Sequence, residues 1–146
     1  MDAGHTYPPF DTQATQKGYH SVFSSAETPG LIPDFFVFRT SVTTERPEDV
    51  RAFIAAFFEA QEWMLANSGE ANALIAEATG QKPEDISFEG IKLFNAADNA
   101  ATFTQGESTS SIFFTTQLYV DFYILTGRLS AAPDLNQLLD DSFLPK

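Results

Sequence analysis

Cysteine is absent from the 146 residues, so no disulfide staples the fold, and neither thiol chemistry nor a cysteine-ligated metal is available to it. Basic side chains are scarce. Lys+Arg 8 against Asp+Glu 20 leave a net charge of −12, and the few basic residues nowhere cluster. Nucleic acid and anionic membrane surfaces are poor partners for such a chain, whose acidity serves equally well as a solvated surface. No apolar run approaches the ~20 residues of a membrane span. The opening MDAGHTYPPF has neither the basic nor the apolar region of a signal peptide. The histidines, His5 and His20, are far apart and no H-E-x-x-H occurs, so no metal site is assigned. No serine sits in a G-x-S-x-G elbow and no glycine loop is built to cradle phosphate, so no catalytic residue and no cofactor are assigned, and an enzyme is not expected.

What is present is aromatic and apolar. Phe 15 within 43% hydrophobic residues is enough for a packed core, and the length suits about one ordinary domain. The stretch Tyr19–Arg39 organises the rest. Tyr19–Ser24 alternates in part, and Asp34–Arg39, DFFVFR, is a near-continuous apolar run of strand-forming types, so both are predicted strands. Pro29, Gly30 and Pro33 between them predict an extended loop rather than a tight hairpin.

Helix signals follow in order. Pro9 is able to open a turn over Phe10–Lys17 with Gly18 as its stop. Thr43–Asp49 carries hydroxyls, a first-turn proline and acids where the helix dipole favours them. The helix it starts is predicted to reach Ala66, with Val50, Phe53, Ile54, Phe57, Met64 and Leu65 as its apolar stripe against a sheet. Asn67 and Glu70 stand at capping-box spacing before a helix ending at Gly80. Lys82–Asp85 starts another short helix, and Phe94–Gly106 reads as a loop or broken helix in which Asp98 and Asn99 cap or brace a turn. Ser108–Thr126 is predicted helical, ending at Gly127, with Phe114, Tyr119 and Tyr123 spreading its apolar surface so that it is buried on more than one side, and one further turn follows Pro133.

The segments DAGHTYPPF, KGYHSVFSSAETPGLIPDFFVFR, RPEDVRAFIAAFFEAQEWMLAN, EGIKLFNAADNAATF and DFYILTGRLSAAPDLNQLLDDSFLPK, in that order, resemble the C-terminal part of the solute-binding proteins of ABC importers, in the nitrate, sulfonate, taurine and thiamine-pyrimidine-precursor group. The resemblance implies an α/β chain with a partial type II periplasmic-binding fold, few strands and a predominantly helical C-terminal half. Residues 1–33 would form the end of the second lobe and its hinge loop, and 34–146 the return strand and the helices completing the first lobe. It implies a small polar or anionic solute in an interlobe cleft, an ABC permease as partner of the full receptor, and a periplasmic or extracytoplasmic location. Pro8 stands where such proteins commonly have an acidic residue.

Five residues are the candidate ligand contacts. Tyr7 offers a flat face and a hydroxyl, and His5 a hydrogen bond to a polar or anionic solute. Ser24, Ser25 and Thr28, with the amides around them, form the kind of small-donor loop that holds an oxyanion or a polar ring, and resemble the family's cleft-facing loop by position. His20, within a predicted strand, is read as structural, and Trp63 as packing or partner surface rather than a ligand contact. The alternative function is a self-associating structural or interaction fragment without solute binding, because a lone two-stranded sheet and its helices leave apolar faces uncovered. A homodimer or strand-exchanged oligomer, pairing through the segment up to about Phe38, is the corresponding expectation.

Overall fold

The computed structural model describes residues 2–7, 10–88 and 90–145. Among these residues every regular element is helical: α1 (Phe10–Gln16), α2 (Thr40–Glu45), α3 (Pro47–Ala66), α4 (Ser68–Thr79), α5 (Ala96–Thr102), α6 (Ile112–Leu125) and α7 (Leu135–Leu138), with short 3-10 turns at Ser25–Glu27 and Pro83–Asp85. The chain divides into two compact units, one of Met1–Glu27 with Trp63–Lys92, the other of Thr28–Glu62 with Leu93–Lys146. α3 runs through the division, with Trp63–Ala66 in the first unit.

In the first unit, the Tyr7 carbonyl accepts from the amides of Phe10 and Asp11 at 2.8 and 3.2 Å as α1 begins. α4 ends at Gly80, whose φ of 71° is a left-handed conformation that glycine adopts without a Cβ penalty, and its amide bonds back to the Ala76 carbonyl. Its buried residues, Ala71 and Ala76, are small, which lets the Pro83–Asp85 turn lie against the helix. Asn72 Nδ2 donates to the Ile86 carbonyl at 3.4 Å there. The capping role expected of Asn67 is not realised, because its side-chain amide donates backwards to the Trp63 carbonyl at 2.9 Å.

In the second unit, Pro47 separates α2 from α3. A proline disfavours helical backbone in the residue before it, and Arg46 there has φ −135° and ψ 49°. The Arg46 Nε donates to Asp49 Oδ2 at 2.6 Å across the first turn of α3. α3 buries Val50, Phe58 and Gln61. Arg51, on the same helix, donates to the Ser142 carbonyl and lies 5.0 Å from the centre of the Phe143 ring, so one side chain ties the C-terminal stretch to α3. α5 opens on a complete capping box, Asn95 accepting from the Asp98 amide at 2.8 Å and Asp98 accepting from the Asn95 amide at 3.3 Å. Ser111 caps α6 and is itself buried.

The α/β expectation is overturned: no described residue lies in a strand, so the partial type II periplasmic-binding architecture, with its crossing strands, is not this fold. Strand composition becomes a strand only through ladder partners. Tyr19–Ser24 is interrupted by a bend at Val22, which is 97% exposed. Asp34–Arg39 does run without helix, turn or bend, but its alternate rings turn to a helix rather than to a neighbouring strand. Phe36 meets Phe57 and Phe53 edge-to-face at centroid distances of 4.8 and 5.1 Å, and Phe38 meets Phe53 at 5.8 Å. Of the stripe expected to face a sheet, Phe53 and Phe57 therefore meet the rings of this one segment, and they stay 47% and 41% exposed.

Candidate interaction surface

The five expected ligand residues fall on both sides of the unit division. In the first unit, His5 and Tyr7 are exposed and their rings lie 6.4 Å apart, with Tyr7 edge-on to Phe10 at 5.7 Å. Ser24 and Ser25 open the 3-10 turn, and two of the amides expected to await a solute are already used. The Ser24 amide donates to the Glu27 carboxylate at 3.0 Å, and the Ala26 amide donates to the Ser24 hydroxyl at 3.3 Å. A carboxylate seated on the Ser24 amide repels an incoming anion, while the Thr28 hydroxyl is buried with no hydrogen-bond partner among the described residues.

Thr28 belongs to the second unit and begins a tight turn. The Leu31 amide donates to the Thr28 carbonyl at 3.1 Å, and Pro29 with Gly30 at φ 81° supplies the two central residues of a type II turn. The turn is held down from α6. Thr115, 1% exposed, donates its hydroxyl to the Gly30 carbonyl at 3.0 Å, and the Tyr119 hydroxyl donates to the Leu31 carbonyl at 2.8 Å. Gly30 meets the Thr109 carbonyl so closely that a Cβ built there would stand 2.1 Å from its oxygen. Sequence reasoning placed Tyr119 in the apolar surface of α6 and passed over Thr115. Their spacing of four residues, one helical turn, was the available signal.

Beyond this anchored turn the second unit presents apolar surface. Phe35, Phe36 and Val37 are 50%, 52% and 88% exposed. On α6, Leu118, Phe122 and Leu125 recur at helical spacing and are 40%, 53% and 85% exposed. The burial of α6 on more than one side is thus not found: Thr115 and Val120 are its buried residues, and the anchored turn occupies the Thr115 and Tyr119 side. Such apolar stripes on a chain of this charge mark contact surfaces.

Comparison of the chain with family models, with curated proteins and with solved structures finds no match. The surface has to be read from its own chemistry. Two shallow grooves lie in the second unit. One, of about 260 Å³, is lined by Arg51, Ala55, Phe143, Leu144 and Pro145. The other, of about 450 Å³, lies between Gln105, Gly106, Phe113, Phe114, Gln117 and the 133–136 stretch. None of His5, Tyr7, Ser24, Ser25 and Thr28 lines either groove. Among the described residues no cluster of metal-ligating side chains occurs, and no helix is long and apolar enough to cross a membrane.

Proposed function

We propose that this chain works by association with copies of itself, as a self-associating structural or interaction protein. The observation that carries this reading is the aromatic ledge of the second unit. Phe36, Phe53 and Phe57 meet edge-to-face yet each keeps roughly half its surface in water, and the neighbouring Val37 has almost no cover. Fully burying a side chain of this size is worth about 1.5–3 kcal/mol, so the ledge gains stability from any apolar surface laid over it. Solute capture, the function implied by the resemblance, calls for polar groups converging on a cavity. In the small-donor loop the Ser24 and Ala26 amides are spent on Glu27 and Ser24 and none of its expected contacts lines a groove, which is why association is preferred.

Sedimentation velocity across a dilution series tests the proposal. The expected result is a mass that rises reversibly with concentration. A compact monomer at every concentration overturns it. Titration with a sulfonate, nitrate or an aminopyrimidine, followed by amide shifts, addresses the other reading. Saturable shifts at His5, Tyr7, Ser24 and Ser25 would restore solute capture.

A further inference from the structure

The segment Asp34–Arg39 has a property beyond its exposed rings. From Ile32 to Phe38 no backbone N–H or carbonyl has a hydrogen-bond partner among the described residues. The residues after Pro33 carry no helix, turn or bend up to the start of α2, and Arg39 at their end has extended backbone, φ −69° and ψ 143°. This is a strand-like segment without a sheet, its backbone ladder unpaired within the chain and open to solvent. Phe36 and Phe38, two apart, both meet the Phe53 ring of α3, and Val37 between them is 88% exposed, the alternation a strand shows.

Resting on the self-association reading, we infer that this segment pairs antiparallel with the same segment of a second copy, in the register that sets Val37 opposite the partner's Val37. Charge chooses the direction. Asp34 and Arg39 stand at opposite ends of the window, and neither makes an ion pair among the described residues. A parallel in-register pair stacks Asp34 on Asp34 and Arg39 on Arg39, and like charges directly opposite are destabilising. An antiparallel pair brings each acidic end to a basic end. The window is also locally neutral in a chain of net charge −12, so two copies meet there with less repulsion than over the acidic remainder.

Proline and symmetry choose the register. Opposed residues in an antiparallel pair share a face of the ribbon, and a two-fold axis between identical strands preserves the face. A residue therefore opposes itself or one an even number of positions away. Centring the pair on Phe36 sets Pro33 opposite the partner's Arg39, which brings a residue without an N–H into the ladder. Centring it on Val37 keeps the ladder within Phe35–Arg39, pairs Phe36 with the partner's Phe38, and sets Phe35 opposite the partner's Arg39, where ring and guanidinium attract.

The lack of cysteine makes a direct test clean. Val37→Cys, Phe35→Cys and Arg39→Cys are prepared in the full chain and oxidised in a glutathione buffer at a concentration where sedimentation shows association. Val37 is 88% exposed, so its replacement leaves the packing intact. Opposed antiparallel residues have Cα atoms about 4.5–5.5 Å apart, within the reach of a disulfide. V37C should cross-link to a covalent dimer. F35C alone should do so at least about tenfold less, since its two copies stand four residues out of step, roughly 13 Å apart. Mixing F35C with R39C should bring the cross-link back. Equal cross-linking of F35C and V37C overturns the proposal in favour of a parallel or unspecific encounter. Association by sedimentation with no cross-link from V37C overturns it in favour of another surface. Absence of association by sedimentation in the unmodified chain removes the self-association reading itself.

Discussion

Replacing Gly30 by alanine should loosen the whole turn that α6 holds down. Gly30 has φ 81°, a left-handed conformation costing an alanine about 1–2 kcal/mol. The added Cβ would lie 2.1 Å from the Thr109 carbonyl oxygen, and since both groups are backbone, the turn has to move away. That movement breaks the bonds from Thr115 to Gly30 and from Tyr119 to Leu31, each worth about 0.5–1.5 kcal/mol net. The expected loss is about 2–5 kcal/mol, which is a large part of the stability of a small domain. Urea denaturation at one fixed protein concentration, followed by far-ultraviolet circular dichroism, measures it. Thr115→Val is the companion variant, nearly isosteric but unable to bond the Gly30 carbonyl, with an expected cost of about 1–3 kcal/mol. Because both changes act on one docked turn, the double variant should be less destabilised than the sum of the singles. A loss below about 1 kcal/mol for Gly30→Ala, or strict additivity with Thr115→Val, would refute this account of the anchor.

Phe57→Ala should cost about 1–3 kcal/mol, below the 3–5 kcal/mol typical of a buried phenylalanine, because the ring is 41% exposed; thermal or urea unfolding decides, and the full core value would mean that the ring is covered in solution. Asn95→Ala removes one half of the α5 capping box and should cost about 0.5–2 kcal/mol, read locally as faster amide exchange at Asp98 and Asn99. Self-association should tighten as salt rises from low to physiological ionic strength, since each copy carries −12 and screening lowers their mutual repulsion. Sedimentation in a salt series reads this directly, and weakening with salt would contradict it.

Much of the helical framework was legible because its punctuation is local. Pro47 and the acids after it start α3, Gly80 closes α4, and Gly127 follows α6, each doing so through backbone chemistry that needs no distant partner. The strands were misread for the complementary reason. DFFVFR has strand composition and stays free of helix, turn and bend, but a strand is completed by a second chain segment, which local composition does not supply. The candidate ligand loop shows the same limit. Hydroxyls and amides at Ser24–Thr28 fit a solute-binding loop, but in the folded chain Glu27, three residues on, folds back onto the Ser24 amide, which composition does not announce. The anchor of the turn at Gly30 was hidden by distance, since its donors Thr115 and Tyr119 lie 85 and 88 residues away from the carbonyls they bond.

The boundaries of the extended aromatic segment bear on solubility during synthesis and storage. A short apolar run with high strand propensity and open edges is the kind that templates cross-β stacking, chain after chain. Here Pro33 closes one end with a missing amide donor, Asp34 and Arg39 add charges on either side of the core FFVF, and α2 begins at Thr40. These flanks act as gatekeepers. They leave room for one short ladder and penalise the in-register stacking that builds a fibril, where every Asp34 would lie on another Asp34. Stripping that protection, with Asp34→Val and Arg39→Val together, should convert a reversible assembly into one that thickens into thioflavin-binding aggregates, turning a contact surface into a nucleus.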